Sequence, residues 1–345
     1  MTYIDIIQDN VKNHSKVLWW PKFAYHYTDV TNAVSILSTG TLYSRHDATA
    51  LKIMSNDNAS RQVIDVTNQD ITSMVRLYFR PLTPTQYYNE GYKHQALRYY
   101  RDERANVPVP IFFLFDLNKL LSLPGVKFSE KSQAGHGSLL HSGVDEFAKL
   151  NFDFIYDNSY ERINEAKDYR HAEIVCPASL PVEPYIRKIL CRNSQDRSTL
   201  LNLLIESSPN AFLKYQNIIK EYKEDIFENN GIFISECLYY KNKICIEFSD
   251  TYESQRYIDR MMQKNNVTEL SPIRVGISVT WYKSNSILNQ AYVDTLYDPR
   301  GRGRELILKG FKTPSQSDKI GIKIHFDDKL VCYAVQSTGF SELLF

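Results

Sequence analysis

The sequence predicts an α+β fold, with a mostly antiparallel β domain appended at its C-terminal end. Three observations carry this. Up to about residue 195, short strands and helices mix without the regular alternation of a doubly wound parallel sheet. Beyond that point two-residue alternation takes over. Ile273, Val275, Ile277, Val279 and Trp281 share one face of a strand, and so do Ile320, Ile322, Ile324 and Phe326. The chain is also 345 residues long, more than one ordinary domain needs. We divide it into residues 1–205 and residues 206–345, the second a helix followed by a sandwich-like β unit.

Taken in order, residues 1–20 read as a helix that ends at Trp19-Trp20, before Pro21. Phe23 to Thr28 is a strand. Thr31 to Ser38 is helical, with Asp29 or Thr31 as its cap and Gly40 just past its end. Residues 44–72 are polar, a long loop or a loop with a short helix, of a length that is usually functional or mobile. Val75 to Phe79 is a strand stopped by Pro81 and Pro84. Pro108 to Asp116 is a buried strand, Asp116 to Leu121 a short helix, and a further helix falls near Gly143 to Leu150. Ala172 to Cys176 and Pro184 to Cys191 are strands. In the second unit Asn210 to Glu228 has helical apolar spacing. Ile244 to Phe248, Leu306 to Phe311 and the hairpin turning at Asp327-Asp328 complete it.

Composition narrows the function. Hydrophobic residues at 43% and charged residues at 23% support a packed core. A net charge of +1 excludes a protein that holds nucleic acid by overall charge, so any such site is a local patch. The 24 tyrosines suit ring stacking with a hydroxyl to spare, although a tyrosine-rich core explains them as well. Cys176, Cys191, Cys237, Cys245 and Cys332 are scattered, without metal spacing, as reduced cytoplasmic thiols would be. We expect no signal peptide and no membrane span.

The chemistry concentrates in two stretches. His26 and Thr28 share one side of a strand and can present two hydrogen-bonding groups to one ligand; a structural histidine is the bland alternative. Glu173 lies in an apolar strand, where a carboxylate is costly unless paired or used. Its bland reading is an outward residue paired with Arg170 or His171. Between these stretches, Tyr78-Phe79-Arg80-Pro81-Leu82-Thr83-Pro84 is a strand that ends in an arginine and prolines. Tyr156, Tyr160, Arg162, Lys167, Tyr169, Arg170 and His171 interleave rings and cations just before Glu173. Single-stranded nucleic acid needs that mixture, and a surface loop is the other reading. Arg61 is a lone loop arginine. Arg300-Gly301-Arg302-Gly303-Arg304 reads as a solvated hairpin tip. No phosphate-binding glycine loop, zinc spacing or G-x-S-x-G occurs, and Gly135-His136-Gly137-Ser138 lacks the strand–turn–helix context.

In this order the blocks resemble the DarT-type nucleic-acid ADP-ribosyltransferases, toxins of bacterial toxin–antitoxin and phage-defence systems. Tyr25-His26-Tyr27-Thr28-Asp29, with Ile36 to Leu42 behind it, is the first block. Tyr78 to Pro84 is the second and Ala172-Glu173-Ile174-Val175 the third. The resemblance covers about residues 20–200, and the C-terminal region lies outside it.

It implies an ADP-ribosyltransferase-like fold, two packed antiparallel sheets with a cleft for NAD as co-substrate and no metal. His26, Tyr27, Thr28, Leu42, Tyr43, Arg61 and Tyr78 would contact NAD. Glu173 would be the catalytic glutamate, and Arg61 the catalytic arginine with Arg45 as its rival. Arg80, Tyr160, Arg162, Tyr169, Arg170 and His171 would meet the acceptor, single-stranded DNA or RNA. A cognate antitoxin is the implied partner, with a chaperone as another. A protein side chain as acceptor and a non-enzymatic module led by the β domain are the competing readings.

Overall fold

The structure is a computed structural model that describes the chain except residues 18, 58–68, 99–101, 103–105, 135–137, 160–161, 223–224, 250, 301–303 and 339–345. Arg61, Tyr160, the Gly135-His136-Gly137 stretch and Gly301-Arg302-Gly303 therefore lie outside the described residues.

The first unit is organised by a seven-stranded sheet. Its strands in chain order are β1 (Phe23–Asp29), β3 (Val75–Tyr78), β4 (Pro110–Asp116), β5 (Lys127–Ser129), β6 (Glu173–Cys176), β8 (Ile186–Cys191) and β9 (Ile219–Glu221). Across the sheet the order is β5-β6-β3-β1-β4-β8-β9. Every pair is antiparallel except β8 with β9. A small second sheet pairs β2 (Thr41–Tyr43) with β7 (Ser179–Pro181). The uninterrupted apolar run Ile111 to Phe115 makes β4 a central strand, buried on both faces.

The helix Val30–Thr39 starts directly after β1. The Asp29 carboxylate accepts the Thr31 backbone N–H at 3.0 Å, and Gly40 closes the helix with φ at +69°. Asp29 and Gly40 thus do what their positions in the sequence predict.

The second unit is two antiparallel sheets around one apolar cluster. One orders β10 (Ile234–Tyr240), β11 (Lys243–Phe248) and β14 (Glu305–Lys309). The other runs β13-β12-β15-β16, with β12 at Ile273–Lys283, β13 at Ser286–Tyr297, β15 at Lys319–Phe326 and β16 at Lys329–Ser337. Ile277, Val279, Ile322 and Ile324 are wholly buried between the sheets. This is the face their alternation predicts.

Several elements differ from expectation. The first helix stops at Asn13, followed by short 3-10 turns, because the backbone at His14 leaves the helical region, at φ −108° and ψ 61°. The long helix expected over Asn210 to Glu228 is only Pro209–Tyr215. There the edge of the large sheet offers the backbone a better partner. The Ile189 N–H donates to the Ile218 carbonyl at 3.0 Å, and Ile219 is buried in β9. A helix at Ser194–Ser207, capped by Asn193, and another at Tyr252–Lys264, capped by Thr251, were not legible as separate elements. Arg45–Ala50, by contrast, is the short helix that the reading of the polar 44–72 stretch allowed for.

The two cores exchange chain later than residue 205. Ala211, Tyr215, Ile219, Ile226 and Phe227 pack in the first core, and Ile232 in the second. The seam is tight. The Glu90 carboxylate accepts the backbone N–H groups of Glu228 and Asn229, both at 2.9 Å. A Cβ on Gly231 would lie 2.5 Å from the Glu90 carbonyl oxygen, so only glycine fits there. Tyr92 crosses the seam, pairing with Ile232 and packing edge-on against Phe326 at 5.2 Å.

Candidate active site

β3 is the pivot of the site. Val75 and Leu77 point into the core and are buried; Arg76 and Tyr78 take the opposite face. Register then assembles the rest. Tyr78 stands opposite Glu173 on β6, so their side chains share a face with Arg76. β1 flanks β3 on the other side. A cleft of about 250 Å³ opens here, lined by His26, Tyr27, Thr28, Leu42, Tyr43, Arg45, Arg76 and Tyr78 among others. The cleft therefore gathers six residues expected to contact NAD, together with Arg45.

Glu173 is fully buried. Its carboxylate receives a two-pronged bond from Arg76, Nε to Oε2 and Nη2 to Oε1, both at 2.6 Å. The Gln133 backbone N–H donates to Oε1 at 3.1 Å, and the Ser132 hydroxyl donates at 3.3 Å. The pairing with Arg170 or His171 that the sequence suggested is not formed. Arg170 and His171 lie on a 3-10 turn before the strand, with Arg170 turned to Asp157 and Ser159, whereas the diagonal cross-strand position of Arg76 suits the reach of a guanidinium. Burial works against the Arg76 charge, and the Glu173 carboxylate more than compensates, raising its basicity. Arg76 forms the cleft wall directly in front of Glu173.

His26 is neutral at pH 7. Burial pushes its imidazole down to about 4, against the opposing influence of a hydrogen bond with the Arg76 backbone. A neutral imidazole can donate and accept at once, which suits an amide or ribose hydroxyl. Burial, then Glu173, raises the Tyr78 phenol, which keeps its proton.

The segment before Glu173 divides its expected nucleic-acid contacts. Tyr169 stacks on Phe154 with centroids 5.0 Å apart. Lys131 Nζ lies 5.0 Å from the Tyr169 ring centre and the Arg162 guanidinium 4.4 Å from that of Phe154. Cation, ring, ring and cation form one shelf. Arg170 is engaged with Asp157 at 3.3 Å and with the Ser159 carbonyl at 2.7 Å. Burial lowers His171, against the pull of Glu173.

Arg80 does not face a ligand. It is wholly buried, donating to the carbonyls of Pro81, Ile155 and Asp157 and to Asn158 Oδ1, with its guanidinium 5.0 Å from the Trp20 ring centre. Burial, with Arg170 nearby, pushes it down to about 9. Its task is to brace the 155–158 segment beneath the shelf.

Arg76, Ser132 and Gln133 escaped the sequence reading. For Arg76 a signal existed, since alternation in Val75-Arg76-Leu77-Tyr78 sets a cation and a phenol on one face. For Ser132 and Gln133 none did, because their contact with Glu173 depends on a loop returning from β5. Among the described residues no cluster of metal-ligating side chains occurs, and no helix is long and apolar enough to cross a membrane.

Comparison with known proteins gives the family. The family model of DarT, the ssDNA thymidine ADP-ribosyltransferase, matches residues 25–220, more than half of the chain. Among solved structures, the chain is similar to Thermus sp. 2.9 DarT in complex with NAD+, at 17% identity over 59% of this chain and 96% of that chain, with a TM-score of 0.45. The same protein in complex with ADP-ribosylated ssDNA gives 16% identity over 59% and 95%, with a TM-score of 0.42. Thermosipho africanus DarTG in complex with ADP-ribose gives 14% identity over 63% and 53%, with a TM-score of 0.44. No curated protein sequence matched. The class is that of an NAD-dependent ADP-ribosyltransferase. The chain belongs to the DarT family.

Proposed function

We propose that the chain transfers ADP-ribose from NAD to a nucleobase of single-stranded nucleic acid, with DNA as the acceptor that the family description favours. The observation that carries this reading is the buried Glu173 carboxylate, gripped by the fork of Arg76, which itself lines the cleft with His26, Thr28 and Tyr78.

The chemistry follows from these groups. Cleavage of the bond between nicotinamide and ribose builds positive charge on the ribose. A fixed carboxylate in a low-dielectric wall stabilises such charge without reorganising, and Glu173 is fixed at both oxygens. It also stands where a base can take the proton released by the attacking base nitrogen. Neutral His26, Thr28 and the Tyr78 phenol orient the nicotinamide end, and Leu42 and Tyr43 close the cleft over it. Arg45 holds the pyrophosphate. The donor set suits the dinucleotide: neutral hydrogen-bonding groups and rings around the sugar, with cations toward the phosphates. Tyr169 and Phe154 stack the unpaired acceptor strand, and Lys131 and Arg162 contact its phosphates.

A cellular role as a toxin held in check by a cognate antitoxin completes the reading. The test uses labelled NAD with separate single-stranded DNA and RNA oligonucleotides. Label on DNA that disappears in Glu173→Ala supports the proposal. Label on RNA alone moves the acceptor to RNA, and label that survives nuclease treatment on protein overturns it. In cells, the native chain should arrest growth and Glu173→Ala should not.

A further inference from the structure

The accessory domain touches the cleft lining through Lys329. Lys329 stands at the start of β16, on the β15–β16 hairpin, and its Nζ donates to Asn56 Oδ1 at 3.1 Å. Asn56 belongs to the cleft lining and is buried. Its other groups are all engaged. The Nδ2 donates to the Asn106 carbonyl at 3.1 Å. The backbone N–H donates to Asn32 Oδ1 at 3.0 Å, and the backbone carbonyl accepts from Asn32 Nδ2 at 2.6 Å. Asn32 is itself a cleft residue, on the helix Val30–Thr39. Lys329 thus completes a clamp that joins two walls of the cleft.

The same ammonium acts on Asp29. That carboxylate is buried, caps the helix Val30–Thr39 and follows Thr28 directly. Burial raises it, while the Thr31 and Val109 donors and the Lys329 charge pull the other way. Lys329 therefore favours the ionised cap as well as the Asn56 geometry.

The hairpin that delivers Lys329 is fixed at several points. The Tyr92 hydroxyl donates to the Asp327 carboxylate, and the Asp327 N–H donates to the Arg274 carbonyl at 2.8 Å. Further along β16, the Tyr333 N–H donates to the Thr199 hydroxyl at 3.0 Å, and Asn202 Nδ2 donates to the Tyr333 carbonyl at 2.9 Å. The lysine is held by both units, so its position at the cleft wall is set by the fold and not by a loose side chain alone.

We propose that Lys329 is a positioning residue for NAD: the accessory domain uses it to hold the Asn32–Asn56 wall in the conformation that accepts the dinucleotide. The domain is then part of the NAD site and not only a docking appendage. This rests on the cleft being the NAD site and is independent of which nucleic acid is modified.

The test uses the full chain and a carba analogue of NAD, whose nicotinamide bond is not cleaved. Calorimetry gives the dissociation constant, and steady-state turnover of NAD gives KM and kcat. Lys329→Met is expected to weaken binding of the analogue and raise KM by roughly tenfold, with kcat within about twofold. Lys329→Arg, which keeps a cation of similar reach, should restore most of the affinity. Asn56→Ala should reproduce most of the loss, and adding Lys329→Met to Asn56→Ala should cost much less than it costs alone, the remainder passing through Asp29. Unchanged affinity in Lys329→Met overturns the proposal. So does a loss that adds in full to that of Asn56→Ala, because the lysine would then act elsewhere. If the native chain fails to bind the analogue, the cleft assignment itself fails, an outcome distinct from either of these.

Discussion

In β12, Ile273, Val275, Ile277, Val279 and Trp281 turn inward and are buried, while Arg274 on the opposite face is exposed. In β3, Val75 and Leu77 turn inward in the same way, but Arg76 and Tyr78 on the opposite face enter a cleft instead of open solvent. Both strands obey the two-residue rule of the pleat. The difference lies in what covers the polar face. Over β3 the cleft is walled by residues of the Val30–Thr39 helix, the Arg45–Ala50 helix, and Ile53, Met54 and Asn56, so side chains that would otherwise be solvated become a site. A cation on a half-buried strand therefore has two meanings, and the covering elements decide between them.

The comparison breaks most readily at Glu173. Glu173→Ala should lower transfer by roughly a thousandfold, with circular dichroism unchanged, since the charge-stabilising group is lost. Transfer within tenfold of native would sink the catalytic assignment. Ile322→Ala tests the other region. Ile322 is fully buried, and its truncation should cost about 3 kcal/mol in urea unfolding while the kcat of the folded protein stays level. A fall in kcat would mean that the accessory core supports chemistry directly.

Arg76→Met probes the shared element. It leaves Glu173 with only the Ser132 and Gln133 donors. The Arg76 side chain is 26% exposed, which softens the penalty of breaking a buried pair to about 2 kcal/mol. Arg76→Lys should recover part of it, since a lysine keeps the charge and loses the fork. Equal stability of Arg76→Met and the native chain would show that the fork carries no weight.

The smallest effect concerns pH. Burial holds His26 at about 4, below its ordinary value near 6.5. Above pH 6.5 neither the folded nor the unfolded chain protonates it, and its contribution to stability is complete. As pH falls toward 4 the unfolded chain binds the proton first, and that contribution drains away. His26→Gln should therefore lose about 1 kcal/mol less than the native chain between pH 7 and pH 5. Identical pH profiles would place the imidazole in water.

Much of the fold and part of the site are legible in the residues themselves. Asp29 and Gly40 bracket a helix in both sequence and structure, and the inward faces of β12 and β15 follow from alternation alone. The ordered blocks around His26 and Glu173 point to NAD chemistry. The seam is less legible. Tyr92 packs with Phe326, and Glu90 holds the N–H groups of Glu228 and Asn229, contacts between residues more than a hundred positions apart. Arg80 misleads because the resemblance assigns it to the nucleic acid. Its burial depends on four acceptors supplied mostly by the 155–158 segment.

Local sequence is enough to set the α+β class, the inward faces of the strands, and which stretches carry imidazole, hydroxyl and carboxylate groups. These depend on periodicity and residue chemistry, which neighbouring positions alone express. Three further features come from tertiary packing: Glu173 is gripped by Arg76, Arg80 is a buried brace, and Lys329 reaches Asn56. Each of those depends on strand register or on a loop returning across the sheet, and register is set by the packing of the whole core.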